Sequence, residues 1–118
     1  SVDIPVSTTT IKRGAFYANN LTNVVIPNGV TEISDSAFYL NVLTEVTIPN
    51  SVTKIGEKAF KRNELTSLDI PDSVIKIGKD AFLNNPLQTV TISKNANFDL
   101  SVFPFGVEIQ TGTNLPAS

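Results

Sequence analysis

A single period organises this sequence. Ile4-Pro5, Ile26-Pro27, Ile48-Pro49 and Ile70-Pro71 lie 22 residues apart, and Ile92-Ser93 continues the series. Ala15-Phe16, Ala37-Phe38, Ala59-Phe60 and Ala81-Phe82 keep the same step, as do Leu21, Leu43, Leu65 and Leu87, and Ile11, Ile33, Ile55 and Ile77. Segments 26–47 and 48–69 agree at 11 of 22 positions, and so do 48–69 and 70–91. Average residue usage would give about one or two. Periods of this length mark stacked supersecondary units and have to be found before local structure is assigned.

The unit reads L-T-x-V-x-I-P-x-x-V-T-x-I-G-x-x-A-F-x-x-N-x. Its V-x-I part alternates and is β-branched, which predicts a short strand that the following Pro ends. Asn28-Gly29, Asn50-Ser51 and Asp72-Ser73 are turn residues. Val52-Thr53-Lys54-Ile55 alternates again, predicting a second short extended piece closed by Gly56. Glu57-Lys58-Ala59-Phe60 is too short for a full helix and is expected to make one helical or 3-10 turn. Such a unit cannot close a core alone, but stacked coils bury one another's apolar edges. Equivalent residues then sit about 4.8 Å apart. Phe16, Phe38, Phe60 and Phe82 are predicted to form an internal aromatic ladder. Asn19, Asn41, Asn63 and Asn85 form a polar column suited to bonding backbone groups of their own coil and the next. The alternative is that these Asn residues only favour turn geometry.

Composition narrows the chemistry. The 118 residues include no His and no Cys. That leaves no Ser-His-Asp triad, no Cys-His nucleophile and no ordinary zinc site, and the chain is read as a non-enzyme needing no cofactor. Zero Cys also means that stability comes from packing rather than disulfides, in whichever compartment the protein works. A net charge of −2 provides no electrostatic footprint for nucleic acid or an anionic membrane. No apolar run is long enough to insert into a bilayer. The chain begins at Ser1, as expected of a processed chain or an excised piece.

The L-T-x-V-x-I-P, V-T-x-I-G and A-F-x-x-N elements together resemble the BspA-type leucine-rich repeat, over residues 4 to 92. The resemblance implies an α/β solenoid, a strand-dominated leucine-rich-repeat horseshoe of about five 22-residue coils. A parallel sheet would line its concave side, with short turns or 3-10 segments on the convex side. It further implies a bacterial or protist protein at the cell surface or secreted, binding a host, extracellular-matrix or other cell-surface protein in adhesion. The first repeat departs from the pattern, with Lys12 in place of Gly and Thr8 in place of Val, and reads as a worn terminal coil.

The last repeat breaks down after Ile92, although Phe103 and Ile109 still fall on the 22-residue step. Phe98, Phe103 and Phe105 crowd together there. Residues 93–110 are read as a C-terminal cap, because an open solenoid end exposes core and strand edges. An exposed aromatic binding patch is the alternative. The expected organisation is one domain over 1–110, comprising repeats 4–92 and that cap, with 111–118 as a tail or linker. A monomer is expected, with edge-to-edge pairing of an unprotected end as the alternative.

Side chains pointing out of the first strand of each unit define the candidate partner-binding face. They are Asn23, Val25, Glu45, Thr47, Ser67, Asp69, Thr89 and Thr91, flanked by Thr22, Thr44, Thr66 and Gln88. The face is polar and slightly acidic, and it lacks the Trp, Tyr and Arg that make strong protein anchors. A solvated sheet surface, with the domain acting as a structural spacer that presents a neighbour, is the competing reading. Glu45, Asp69 and Asp72 lie close enough in the repeat to consider a calcium site or a glycosidase pair, but the loop and motif for either are missing. On the opposite side, Lys54, Lys58, Lys61, Arg62, Lys76 and Lys79 gather in the middle repeats, interleaved with Glu57 and Asp80. This is a salt-laced outer face or a patch for sulfated glycans.

Overall fold

The computed structural model describes residues 2–92, 96, 98 and 100–111. Within them the chain winds into a parallel-strand solenoid of about four turns of 22 residues and a shorter closing coil. The described strands are β1 (Val2–Asp3), β2 (Thr10–Ile11), β3 (Val24–Val25), β4 (Glu32–Ile33) and β5 (Lys54–Ile55). They continue with β6 (Ser67–Asp69), β7 (Lys76–Ile77), β8 (Thr89–Ile92) and β9 (Glu108–Thr111). They are short because the sequence alternates for only a few residues before Pro or Gly intervenes.

Two sides of every coil carry parallel strands. One side holds the pairs β1-β3 and β6-β8-β9, and the other holds the four-stranded sheet β2-β4-β5-β7. On the second side Ile11, Ile33, Ile55 and Ile77 stand in direct register, all but fully buried. The corner between the sides is the Pro turn. Pro27, Pro49 and Pro71 present their carbonyls to the amides of Val30, Val52 and Val74 at 3.1–3.2 Å. Pro has no N–H to give to the ladder, so it ends the strand while its carbonyl starts the turn.

The third side differs from the expected helical turn. Ser36, Leu40, Lys58 and Arg62 are left-handed, with φ between 58° and 63°. This alternation aims every second amide along the solenoid axis. Ser36, Phe38 and Leu40 donate to the carbonyls of Glu57, Ala59 and Lys61 at 2.8–3.0 Å. Lys58, Phe60 and Arg62 repeat the pattern onto Lys79, Ala81 and Leu83. A helix would satisfy those amides within the coil and leave neighbouring coils unconnected on this side. The one helix among the described residues is a 3-10 turn, Leu100–Val102, in the closing coil.

Between the sides runs a continuous core. The rings of Phe16, Phe38, Phe60 and Phe82 stack at centroid distances of 5.2–5.3 Å and within 11° of parallel. Phe103 adds a fifth ring, 5.7 Å from Phe82. Phe38, Phe60 and Phe82 are wholly buried, each contributing roughly 1.5–3 kcal/mol of transfer free energy. Close backbone approach accompanies the stack. A Cβ on Gly56 would lie 2.6 Å from the Asp35 amide nitrogen and 2.7 Å from the Ser34 carbonyl carbon.

The Asn column is a hydrogen-bonded ladder, but it reaches backwards instead of forwards. Asn63 accepts from the Leu43 amide (3.0 Å) and donates to the carbonyls of Phe38 (2.9 Å) and Phe60 (3.0 Å). It therefore ties its own coil to the preceding one. Asn41 and Asn85 repeat the arrangement. All three are buried, whereas Asn19, with no described coil before it, is exposed.

The closing coil corrects the 22-residue arithmetic. Phe103 lies 21 residues after the Phe82 on which it stacks, and Ile109 pairs with Val90, 19 residues earlier. The chain shortens its last loop to bring these side chains onto the existing columns, because burial rewards position in the stack and not spacing in sequence. Phe98 meets Phe103 edge-on at 5.5 Å, and Phe105 is fully exposed. The predicted tail lies outside the described residues from 112 onward.

Candidate functional site

Alternation along a strand decides which residues face outward on the β1-β3 and β6-β8-β9 side. Val24, Leu68 and Val90 point in and are buried. Their neighbours Asn23, Val25, Ser67 and Asp69 are exposed, and Thr89 and Thr91 are half-buried. Strand register aligns these residues across coils: Ser67 beside Thr89 beside Glu108, and Asp69 beside Thr91 beside Gln110. Between β3 and β6 the predicted strand at Val46–Ile48 does not form a ladder, so the sheet falls into two parts. Val46 is consequently only half-buried.

A depression of about 530 Å³ opens over this break. Six of the eight predicted face residues line it: Glu45, Thr47, Ser67, Asp69, Thr89 and Thr91. Asn23 and Val25 stand outside it, one coil toward the N-terminus. The turn residues Asn50 and Asp72 also contribute to the lining, and Ile48, Leu68, Ile70 and Ile92 supply its apolar part. Among the described residues, the six face side chains make no hydrogen bond or ion pair within the protein. They are free to meet a partner.

Two participants were hidden from the repeat. Asp72 belongs to the turn after the strand, beyond the alternating segment. Glu108 joins the Ser67–Thr89 column through a 19-residue step, whereas a 22-residue step from Thr89 lands on Thr111. Only the pattern of buried residues in the closing coil could have betrayed that shift.

The opposite side carries the basic residues. Lys54 and Lys76 are direct register neighbours, as expected. Lys54 approaches Glu32 at 4.0 Å, the one ion pair among the described residues, so the anticipated Lys58–Asp80 and Glu57–Lys79 contacts are not made. Tyr17 and Tyr39 meet at 5.4 Å, and Lys61 Nζ lies 5.9 Å from the Tyr39 ring centre.

Comparison with known proteins agrees with this architecture. The family model described as "BspA type Leucine rich repeat region" matches residues 1–105 in 6 copies. No curated protein matches the chain. Among solved structures, a leucine-rich repeat protein from Eubacterium ventriosum superposes with a TM-score of 0.75 at 25% identity, over 90% of this chain and 30% of that one. A leucine-rich repeat protein from Bacteroides ovatus gives 0.70 at 22% identity, over 93% of this chain and 36% of that one. This chain thus spans about a third of the length of each.

Proposed function

The chain belongs to the BspA-type leucine-rich repeat family, and on that premise we propose that it is a non-enzymatic protein-binding module of a cell-surface or secreted protein, serving adhesion to host or extracellular-matrix proteins. The observation that carries this reading is the depression over the broken sheet, with its row of side chains unengaged by the protein itself. The solenoid interior is filled by stacked Phe, Ile, Leu and Val, so recognition belongs on the outside. Glu45, Thr47, Ser67, Asp69, Thr89 and Thr91 form the contact surface, and Asn23 and Val25 extend it toward the N-terminus.

The test is a binding titration of the purified protein against immobilised extracellular-matrix proteins, with Ser67→Trp/Thr91→Trp as the blocking variant. Both substitutions fill the depression from outside the core, so stability should stay within about 0.5 kcal/mol. Binding that the blocking variant loses supports the proposal. Binding that it keeps, or no binding to any matrix protein, refutes it and favours a spacer that presents a neighbouring domain. The anchor-poor face is the observation behind that second reading.

A further inference from the structure

The charges of the solenoid are sorted by side. Asp3, Glu45, Asp69, Asp72 and Glu108 lie on or around the face formed by β1, β3, β6, β8 and β9. No described Lys or Arg lies there. All eight described Lys and Arg residues fall within 12–13, 54–62 and 76–79, on the β2-β4-β5-β7 sheet and the turns that follow it, among five carboxylates. A net charge of −2 therefore conceals a molecule that is anionic on one face and net cationic on the others. A depression lined by one sign of charge focuses that field toward an approaching partner.

Resting on the docking reading above, we propose that this face takes an extended segment of the partner protein bearing lysine and arginine. Three features select that chemistry. The carboxylates of Glu45, Asp69 and Asp72 line one depression and meet no cation of their own among the described residues. The rest of the outward face is hydroxyl and amide, with Val25 as its exposed large apolar side chain, so an aromatic or aliphatic anchor finds no pocket. The spacing also fits. Glu45 and Asp69 sit on adjacent coils, offset by two residues along the strand. Coils about 4.8 Å apart and strand offsets of about 6.7 Å suit alternate side chains of an extended peptide, which recur at about the same 6.7 Å.

The experiment uses fluorescein-labelled decapeptides, (Ser-Lys)5, (Ser-Glu)5 and (Ser-Gln)5, titrated with the whole protein and followed by anisotropy at 50 and 300 mM NaCl. The charge variant is Glu45→Gln/Asp69→Asn/Asp72→Asn, near-isosteric and exposed, with its urea midpoint measured alongside. The lysine peptide should bind best and weaken severalfold at the higher salt. Each neutralisation should weaken it by roughly two- to fivefold, as for exposed pairs, and the triple variant by about tenfold or more. Lys76→Gln should leave it unchanged. Equal binding of the glutamine peptide, unchanged binding by the triple variant, or no binding of any peptide overturns the proposal. If Ser67→Trp/Thr91→Trp blocks binding while the charge variant does not, the docking reading survives and only the charge proposal falls. If neither variant has an effect, both fall. Self-association of the protein alone that the charge variant abolishes would also overturn it, by seating the basic side of a second copy in the depression.

Discussion

Asn63 is 2% exposed and joins two coils through three hydrogen bonds, yet truncating it should not strand three groups. The Phe38 carbonyl also accepts from Asn41 Nδ2 at 3.0 Å, and the Phe60 carbonyl from Asn85 Nδ2 at 2.9 Å. Asn63→Ala therefore orphans only the Leu43 amide. An orphaned buried donor costs about 1–3 kcal/mol, and each of the two other lost bonds about 0.5–1.5 kcal/mol, so the expected loss is roughly 3–4 kcal/mol. Asn85→Ala orphans the Leu65 amide and also the Phe82 carbonyl, which has no other donor among the described residues. It should cost about 1–2 kcal/mol more. Removing both leaves the Phe60 carbonyl bare as well, so the double variant should exceed the sum of the singles by about 1–2 kcal/mol. Urea unfolding followed by far-ultraviolet circular dichroism gives all three values. Equal costs for the two single variants, or strict additivity in the double, would refute the shared-acceptor ladder. Asn63→Asp adds a pH signature. Its carboxylate would face two carbonyls in a buried site, which raises its folded pKa above the ordinary value of about 3.9. The folded state then binds more protons than the unfolded one, so stability falls as pH climbs from about 4 toward the folded pKa. Relative to the parent, this variant should be weaker at pH 7 than at pH 4.

Phe60→Ala opens a gap in the middle of the ring stack and should cost about 3–5 kcal/mol, read as a fall in urea midpoint; an unchanged midpoint contradicts stacked coils. Lys58→Gly relieves a left-handed backbone at an exposed position and should stabilise by about 0.5–1 kcal/mol, since its cross-coil amide bond is kept; a lower melting temperature would contradict that geometry. Gly56→Ala puts a methyl against the Ser34–Asp35 backbone and should cost about 1–3 kcal/mol or more, whereas a neutral outcome in thermal melts would show that the coils are not so closely seated there.

The coils announce themselves in linear order because every rung is built from the same side chains at the same step. Ile33, Ile55 and Ile77, or Phe38, Phe60 and Phe82, need only be counted to be placed in columns, and the family and its solenoid follow from that counting. The direction of the Asn ladder was not available this way. A conserved step says that Asn63 recurs, not whether its amide faces the coil before or after. That depends on how peptide planes orient once coils are stacked. The left-handed residues are likewise invisible, because Ser36, Leu40, Lys58 and Arg62 share no residue type. Neighbouring coils impose their conformation by demanding amides along the axis.

The candidate face divides along the same line. Alternation alone marks Ser67, Asp69, Thr89 and Thr91 as outward, since a strand turns successive side chains to opposite sides. The lapse of pairing at Val46–Ile48, the hollow above it and the arrival of Glu108 beside Thr89 depend on contacts between coils. Periodicity is a property of one chain read end to end, so the repeat can be read directly. Depth, register at an irregular end and the meeting of charges from separate coils are properties of distances between coils, and those exist only after the chain has wound upon itself.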